Sequence, residues 1–282
     1  MSLSQPNGRE YQRHRPEKTL LYQIIHQHYP IFLEHLENQG TSLPGYVQRE
    51  FEDYLQCGRL ENGFIRVVCE SCKHERLVAF SCKRRGFCPS CGARRMAESS
   101  ALLIDEVLPQ QPMRQWVLSF PYPLRFLLAS RPVVLTKVLG IVYRTISTHL
   151  IKKAGHSKKT AQTVAVTLIQ RFGSALNLNP HLHFLVLDGI FTNESNPKFI
   201  RTKAPNADEL NELAHKIGHR VARSLERQGL LQRDAENSYL ELDTDEQPMD
   251  QLIGNSISYR IAIGAKSGTQ GLHLANITTA NQ

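Results

Sequence analysis

Two Cys-x-x-Cys pairs, CESC at Cys69–Cys72 and CPSC at Cys88–Cys91, stand fifteen residues apart. That spacing suits one tetrahedral zinc site, because each short turn offers two thiolates and Zn²⁺ takes four. Cys69, Cys72, Cys88 and Cys91 are therefore the expected zinc ligands. A site of this kind is closed, so its role is structural. Cys57, Cys82 and His74 are left over. Cys82 is an alternative ligand and a second metal stays open, but packed or free thiols are the plainer reading of the leftover cysteines.

Charge is segregated along the chain. The formal net charge is +8, yet no acidic residue stands between Glu106 and Asp188, while Arg114, Arg125, Lys137, Arg144, Lys152 and Arg171 all fall there. Lys83, Arg84 and Arg85 crowd the loop between the cysteine pairs, and Arg94 and Arg95 follow the last ligand. Such a distribution points to a polyanion, most simply nucleic acid. The expected contacts are Lys83, Arg84, Arg85, Arg94, Arg95, Arg125 and Arg171, with Phe87 as a base-stacking candidate. Composition is otherwise that of a folded chain, 41% hydrophobic and 21% charged over 282 residues. No apolar run is long enough to span a bilayer and the first residues do not resemble a secretory signal, so the expectation is a cytoplasmic protein away from membranes.

Periodicity predicts helices over 17–57, with Pro30 interrupting, and again from Ala93 to Leu108. RQWVLSF reads as a strand closed by a PYP turn, followed by a long helix with Pro132 in its first turn. TVAVTLIQRF and HLHFLVLDGIF are strands, joined closely enough to pair antiparallel. Residues 207–227 form an amphipathic helix with Leu210, Leu213, Ile217 and Val221 inward. His215 and His219 lie on its far side as solvated histidines. ISYRIAIG is one more candidate strand. The class is α+β: a helical lead and a small zinc-binding module, then an antiparallel-sheet core with flanking helices. The expected divisions are 17–98, 110–263 and a tail at 264–282.

His181 and His183 open an apolar strand and share one of its faces, since strand side chains alternate. The pair is either structural or half of a metal site. Two imidazoles on a sheet face leave coordination positions for phosphate oxygens.

The stretches ERLVAFSCKRRGFCPSCGARRMAE, QWVLSFPYPLRFLL and IQRFGSALNLNPHLHFLVLDGIF, taken in order, resemble the rolling-circle transposases of bacterial insertion sequences. The resemblance covers roughly residues 20–263. It implies a zinc-binding domain before a His-hydrophobic-His nuclease core, with His181 and His183 as two ligands of a catalytic Mg²⁺ or Mn²⁺. It also implies single-stranded transposon ends as the DNA partner, self-association, and nicking and rejoining through a phosphotyrosine intermediate. Those transposases carry paired tyrosines on a helix after the histidines. Here only Tyr239 and Tyr259 follow, without that pairing, so the chain reads as C-terminally truncated relative to the family. Gln170, His215 and His273 are the candidates for a third metal ligand.

Overall fold

The structure is a computed structural model that describes residues 15–84, 86, 88–173, 177–233, 238–240, 248–258, 260 and 269. The chain forms two compact units, Met1–Pro109 and Gln110–Gln282. The tail at 264–282, apart from Thr269, and the candidates Arg85, Phe87, Tyr259 and His273 lie outside the described residues.

In the first unit, α1 (Leu20–Asn38) begins at Thr19, whose hydroxyl accepts from the Tyr22 amide, a standard N-terminal cap. Pro30 does not interrupt this helix. Its missing N–H frees one carbonyl a turn earlier, but Pro30 is on the exposed side, where water can satisfy that group. The neighbouring Tyr29 is buried and stacks on Phe51 at 4.4 Å, holding α1 against α2 (Gly45–Gln56). Tyr22 donates to the Leu55 carbonyl at 3.2 Å and fixes the other end of the pair. Strands β1 (Phe64–Val68) and β2 (Glu75–Ala79) make an antiparallel hairpin, with Phe64 opposite Ala79 and Val68 opposite Glu75. Gly63, at φ +111°, turns the chain into β1, where an added Cβ would strike the Phe80 ring. Helix α3 (Pro89–Leu102) then starts on the second cysteine pair.

The second unit is built around a three-stranded antiparallel sheet in the order β3 (Met113–Ser119), β6 (Leu178–Leu187), β5 (Ala165–Phe172). The turn-like PYP segment is in fact the start of a helix, α4 (Tyr122–Ser130), with a proline in its first turn. Helix α5 (Pro132–Lys153) follows and buries Val138, Val142 and Leu150 among others. Leu182, Phe184 and Val186 of β6 pack into the same core. So do Ile217, Val221 and Leu225 of α6 (Ala207–Glu226), which begins with a reciprocal Asn206–Glu209 capping box. Leu210, expected inward, is 44% exposed, and the apolar stripe instead runs on to Leu225. The helices thus cover one sheet face.

A small second sheet joins β4 (Ala161–Gln162), β7 (Gly189–Thr192) and β8 (Phe199–Arg201). Gly189 is required there, since a Cβ would fall 2.3 Å from the Ile200 carbonyl oxygen. Arg114 grips Asp188 with two hydrogen bonds of 2.8 and 2.9 Å and locks the β3–β6 register at the start of that sheet. Strands β9 (Leu231–Arg233) and β10 (Ser238–Leu240) pair after α6. Helix α7 (Pro248–Ile257) takes up the first part of the segment expected as a strand, which therefore does not begin at Ile257. Ser256 of α7 accepts from the Leu178 amide, which places the helix against the beginning of β6. Among the described residues, no single helix is long and apolar enough to cross a membrane, although α4 and α5, bent by 118° between them, pass such a test as a pair.

The two faces of the three-stranded sheet should respond differently to truncation. Phe184→Ala, on the helix-covered face, is expected to destabilise the second unit by about 3–5 kcal/mol. Val117→Ala, whose side chain is 56% exposed on the opposite face, should change stability by no more than about 0.5 kcal/mol. Urea unfolding of the two variants checks the assignment.

Candidate metal centres

Four sulfurs meet in the first unit, and they are not the four that spacing alone selects. Cys57, Cys82, Cys88 and Cys91 have Sγ atoms all within 4.8 Å of one another. Cys57 follows α2, Cys82 follows β2, and Cys88 and Cys91 open α3. The Gly58 amide donates to the Phe80 carbonyl at 2.8 Å, which ties the end of α2 to the base of the hairpin and brings Cys57 beside Cys82. Cys69 and Cys72 sit at the other end of that hairpin and are exposed. A five-residue strand spans ~17 Å, so they cannot join Cys88 and Cys91. The correction is one of topology: the first Cys-x-x-Cys pair caps the hairpin tip, and the thiols at its base replace it.

The sulfur separations fit zinc. Cys57–Cys91 is 3.7 Å, Cys57–Cys88 3.7 Å and Cys82–Cys91 3.5 Å. A tetrahedron with Zn–S bonds of about 2.3 Å has edges of about 3.8 Å. The electrostatics agree. The hydrogen bond to Cys88, then burial, pushes the Cys57 thiol well up, and burial pushes Cys82 up to about 12. Cys88 is drawn down to about 5 by the Cys57 hydrogen bond. Thiols packed this closely ionise together only around a cation, and a structural zinc ion is the natural one. The exposed Cys69 thiol is lowered to about 6, first by the Cys72 amide and then by the Ser71 hydroxyl.

Of the basic residues near this cluster, Lys83, Arg94 and Arg95 line one cavity of about 480 Å³ together with Phe80 and Ser90. Arg84 is turned elsewhere, into a 2.5 Å ion pair with Asp53 of α2. In the second unit, Arg125 bonds to the Phe120 carbonyl and lies over the Tyr122 ring, whereas Arg171 is exposed on β5.

The histidine pair occupies the uncovered face of the three-stranded sheet. In register, His181 stands between Ser119 and Gln170, and His183 between Val117 and Leu168. Their ring centroids are 4.9 Å apart. Nδ1 of His181 donates to the Asn179 carbonyl at 2.6 Å, and the Gln115 side-chain amide lies 2.7 Å from Nδ1 of His183. The Gln115 atom facing His183 is its Nε2. Turning that amide over puts Oε1 there to accept from Nδ1–H, and in that arrangement both rings keep an Nε2 lone pair for a cation. Nε2 of His183 is buried and without a hydrogen-bond partner. A buried nitrogen in that position fits a cation.

Gln170 shares this face directly opposite His181. His215 does not: it is exposed on α6, in the layer covering the other face. Gln115 was not anticipated. Its only signal in the sequence was its place two residues before Val117 in an alternating strand.

Replacing Cys57 or Cys82 by Ser should remove bound zinc and unfold the first unit, whereas Cys69→Ser with Cys72→Ser should leave one zinc per chain. Metal analysis of the purified variants distinguishes the two sets. In the native protein Cys69 should alkylate first, with a rate that rises through about pH 6 as its thiolate forms.

Two family models match the chain, one after the other. Residues 24–120 match the IS91-family "Transposase zinc-binding domain". Residues 165–267 match the family described as "Putative transposase". No curated protein and no solved structure matches the chain. With a zinc-binding domain and a transposase core in succession on one polypeptide, the chain belongs to the insertion-sequence transposases that carry an N-terminal zinc-binding domain.

Proposed function

We propose that the chain binds single-stranded DNA at the ends of its element and nicks and rejoins it through a phosphotyrosine intermediate. The carrying observation is the histidine pair: each imidazole is oriented through Nδ1, and the Nε2 of His183 is buried without a partner. His181 and His183, with Gln170 opposite, would hold a Mg²⁺ or Mn²⁺ ion, which supplies positive charge to the scissile phosphate and its developing oxyanion.

The protein's own groups divide the remaining work. The Asn179 carbonyl and the Gln115 amide keep both rings from rotating away. Val117 and Leu168, 56% and 51% exposed beside the histidines, offer an apolar surface to a sugar or base. A tyrosine Oη attacks phosphorus, the bond to the 3′ oxygen breaks, and the tyrosine proton ends on the released 3′-OH. The new phosphotyrosine ester conserves the bond energy for rejoining.

Two upstream tyrosines of the second unit already have hydrogen-bond partners in the fold. Tyr122 Oη donates to the Ile257 carbonyl at 2.5 Å, and Tyr143 Oη to the Thr163 carbonyl at 3.0 Å. Both hydroxyls are occupied in holding the fold. Tyr239 and Tyr259, the two tyrosines that follow the histidines in the chain, are the candidates.

The test is covalent capture of labelled single-stranded DNA from the element's ends in Mn²⁺. The expected result is a protein–DNA adduct lost in Tyr259→Phe or Tyr239→Phe and in His183→Ala. Gln115→Leu should weaken Mn²⁺ binding by about 10–100-fold. Retention of DNA with no adduct in the unaltered chain would overturn the nicking reading and leave a DNA-binding remnant.

A further inference from the structure

A cavity of the second unit lies away from the histidines. It lies along α5 and α6, has a volume of about 580 Å³, and is lined by Ile141, Arg144, Arg220, Arg223, Glu226 and Arg227. Arg220, Arg223 and Arg227 fall at helical positions i, i+3 and i+7, so α6 presents them on one side. Arg220 is anchored by a 3.0 Å bond to the buried Thr145 hydroxyl, and Arg227 by a bond to the Arg223 carbonyl. The Arg144 guanidinium folds back over Gly140, where a Cβ would come within 2.9 Å of it.

The same helix pair shows what neutralised cations look like. At its other end Lys153 meets Glu209 at 2.6 Å and Lys216 meets Glu212 at 2.5 Å. Among the described residues, Arg144 and Arg223 have no carboxylate partner. The groove sets four guanidinium groups against one carboxylate, Glu226. The excess cations repel one another, and a bound phosphate relieves that repulsion while accepting paired N–H bonds.

From this contrast we propose that the α5–α6 arginine groove is a second DNA-backbone site, distinct from the histidine face. Because Ile217, Val221 and Leu225 share a core with Leu182, Phe184 and Val186, the groove lies on the helical side of the sheet and the histidines on the other. A strand touching both must travel on the order of 20 Å, a helix layer plus a sheet spacing. At ~3.4 Å per nucleotide that is ~6 nucleotides. The site therefore engages DNA several nucleotides from the scissile phosphate. It rests on DNA as the ligand and not on the tyrosine chemistry.

The test compares binding of the full chain to single-stranded oligonucleotides of about 4 nucleotides, too short to span ~20 Å, and about 30 nucleotides across a salt series, by fluorescence anisotropy. For Arg144→Gln with Arg223→Gln, affinity for the longer DNA should fall at least tenfold. The slope of log affinity against log salt should shrink by about 1.4, two contacts at ~0.7 each. The short oligonucleotide should bind as before. Arg144→Lys with Arg223→Lys should keep the wild-type slope, which a purely structural role for arginine would not predict. Unchanged binding of the longer DNA by the glutamine variant, or equal loss on both lengths, would overturn the proposal. Because binding is read without nicking, a missing covalent adduct leaves this test intact.

Discussion

The second unit depends on the pairing of β6 with β3 and β5. A central strand with partners on both edges has its backbone groups satisfied, and its side chains then sort by parity. Leu182, Phe184 and Val186 go to the helices, and His181 and His183 go to the uncovered face. A slip of one residue would exchange these sets, burying two imidazoles and exposing an aromatic core. The Arg114–Asp188 clamp opposes that slip at one end, and α7 packs at the other. Core stability and candidate chemistry are thus two consequences of one register.

The first unit solves a different problem. Its apolar core is small: Tyr22, Tyr54, Cys57 and Cys88 form the buried cluster, with Cys82 and Cys91 against it. The thiols are part of that core, so the ion they hold acts as a covalent-strength centre joining α2, β2 and α3. Structural zinc contributes about 10–16 kcal/mol in small peptide modules, more than a handful of tyrosine contacts supplies. Arg94 and Arg95, one turn past Cys91 on α3, are held beside Lys83 by that centre.

Long periodic elements were legible in the chain. β3, β5, α5 and α6 lie where alternation and helical spacing place them, because those patterns report a solvent-to-core gradient directly. HLHFLVLDGIF, read as one strand, breaks at Asp188 into β6 and β7 of separate sheets. Elements that depend on neighbours were not. Pro30 stays in α1 because Tyr29 packs on Phe51, which no local rule contains. PYPLR reads as a turn from its prolines, yet Leu127 and Leu128, fully buried, pull the segment into α4. Leu210 shares the stripe of Leu213 but stands in the first turn of α6, where it is 44% exposed and core packing begins only at Leu213.

By itself the sequence determined the α+β class, the order of a cysteine module before a sheet, and the shared face of His181 and His183. Each follows from interactions within a few residues: strand alternation, helical period, thiolate pairs in short turns. Only the tertiary structure decided which four thiols meet, that Gln115 and Gln170 flank the histidines, and that Arg144 stands near Arg220, Arg223 and Arg227. Those are juxtapositions across separate elements. Hairpin length sends Cys69 and Cys72 away from the α3 cysteines, and strand pairing brings glutamines from β3 and β5 to β6. Neither distance is encoded in any single stretch of chain.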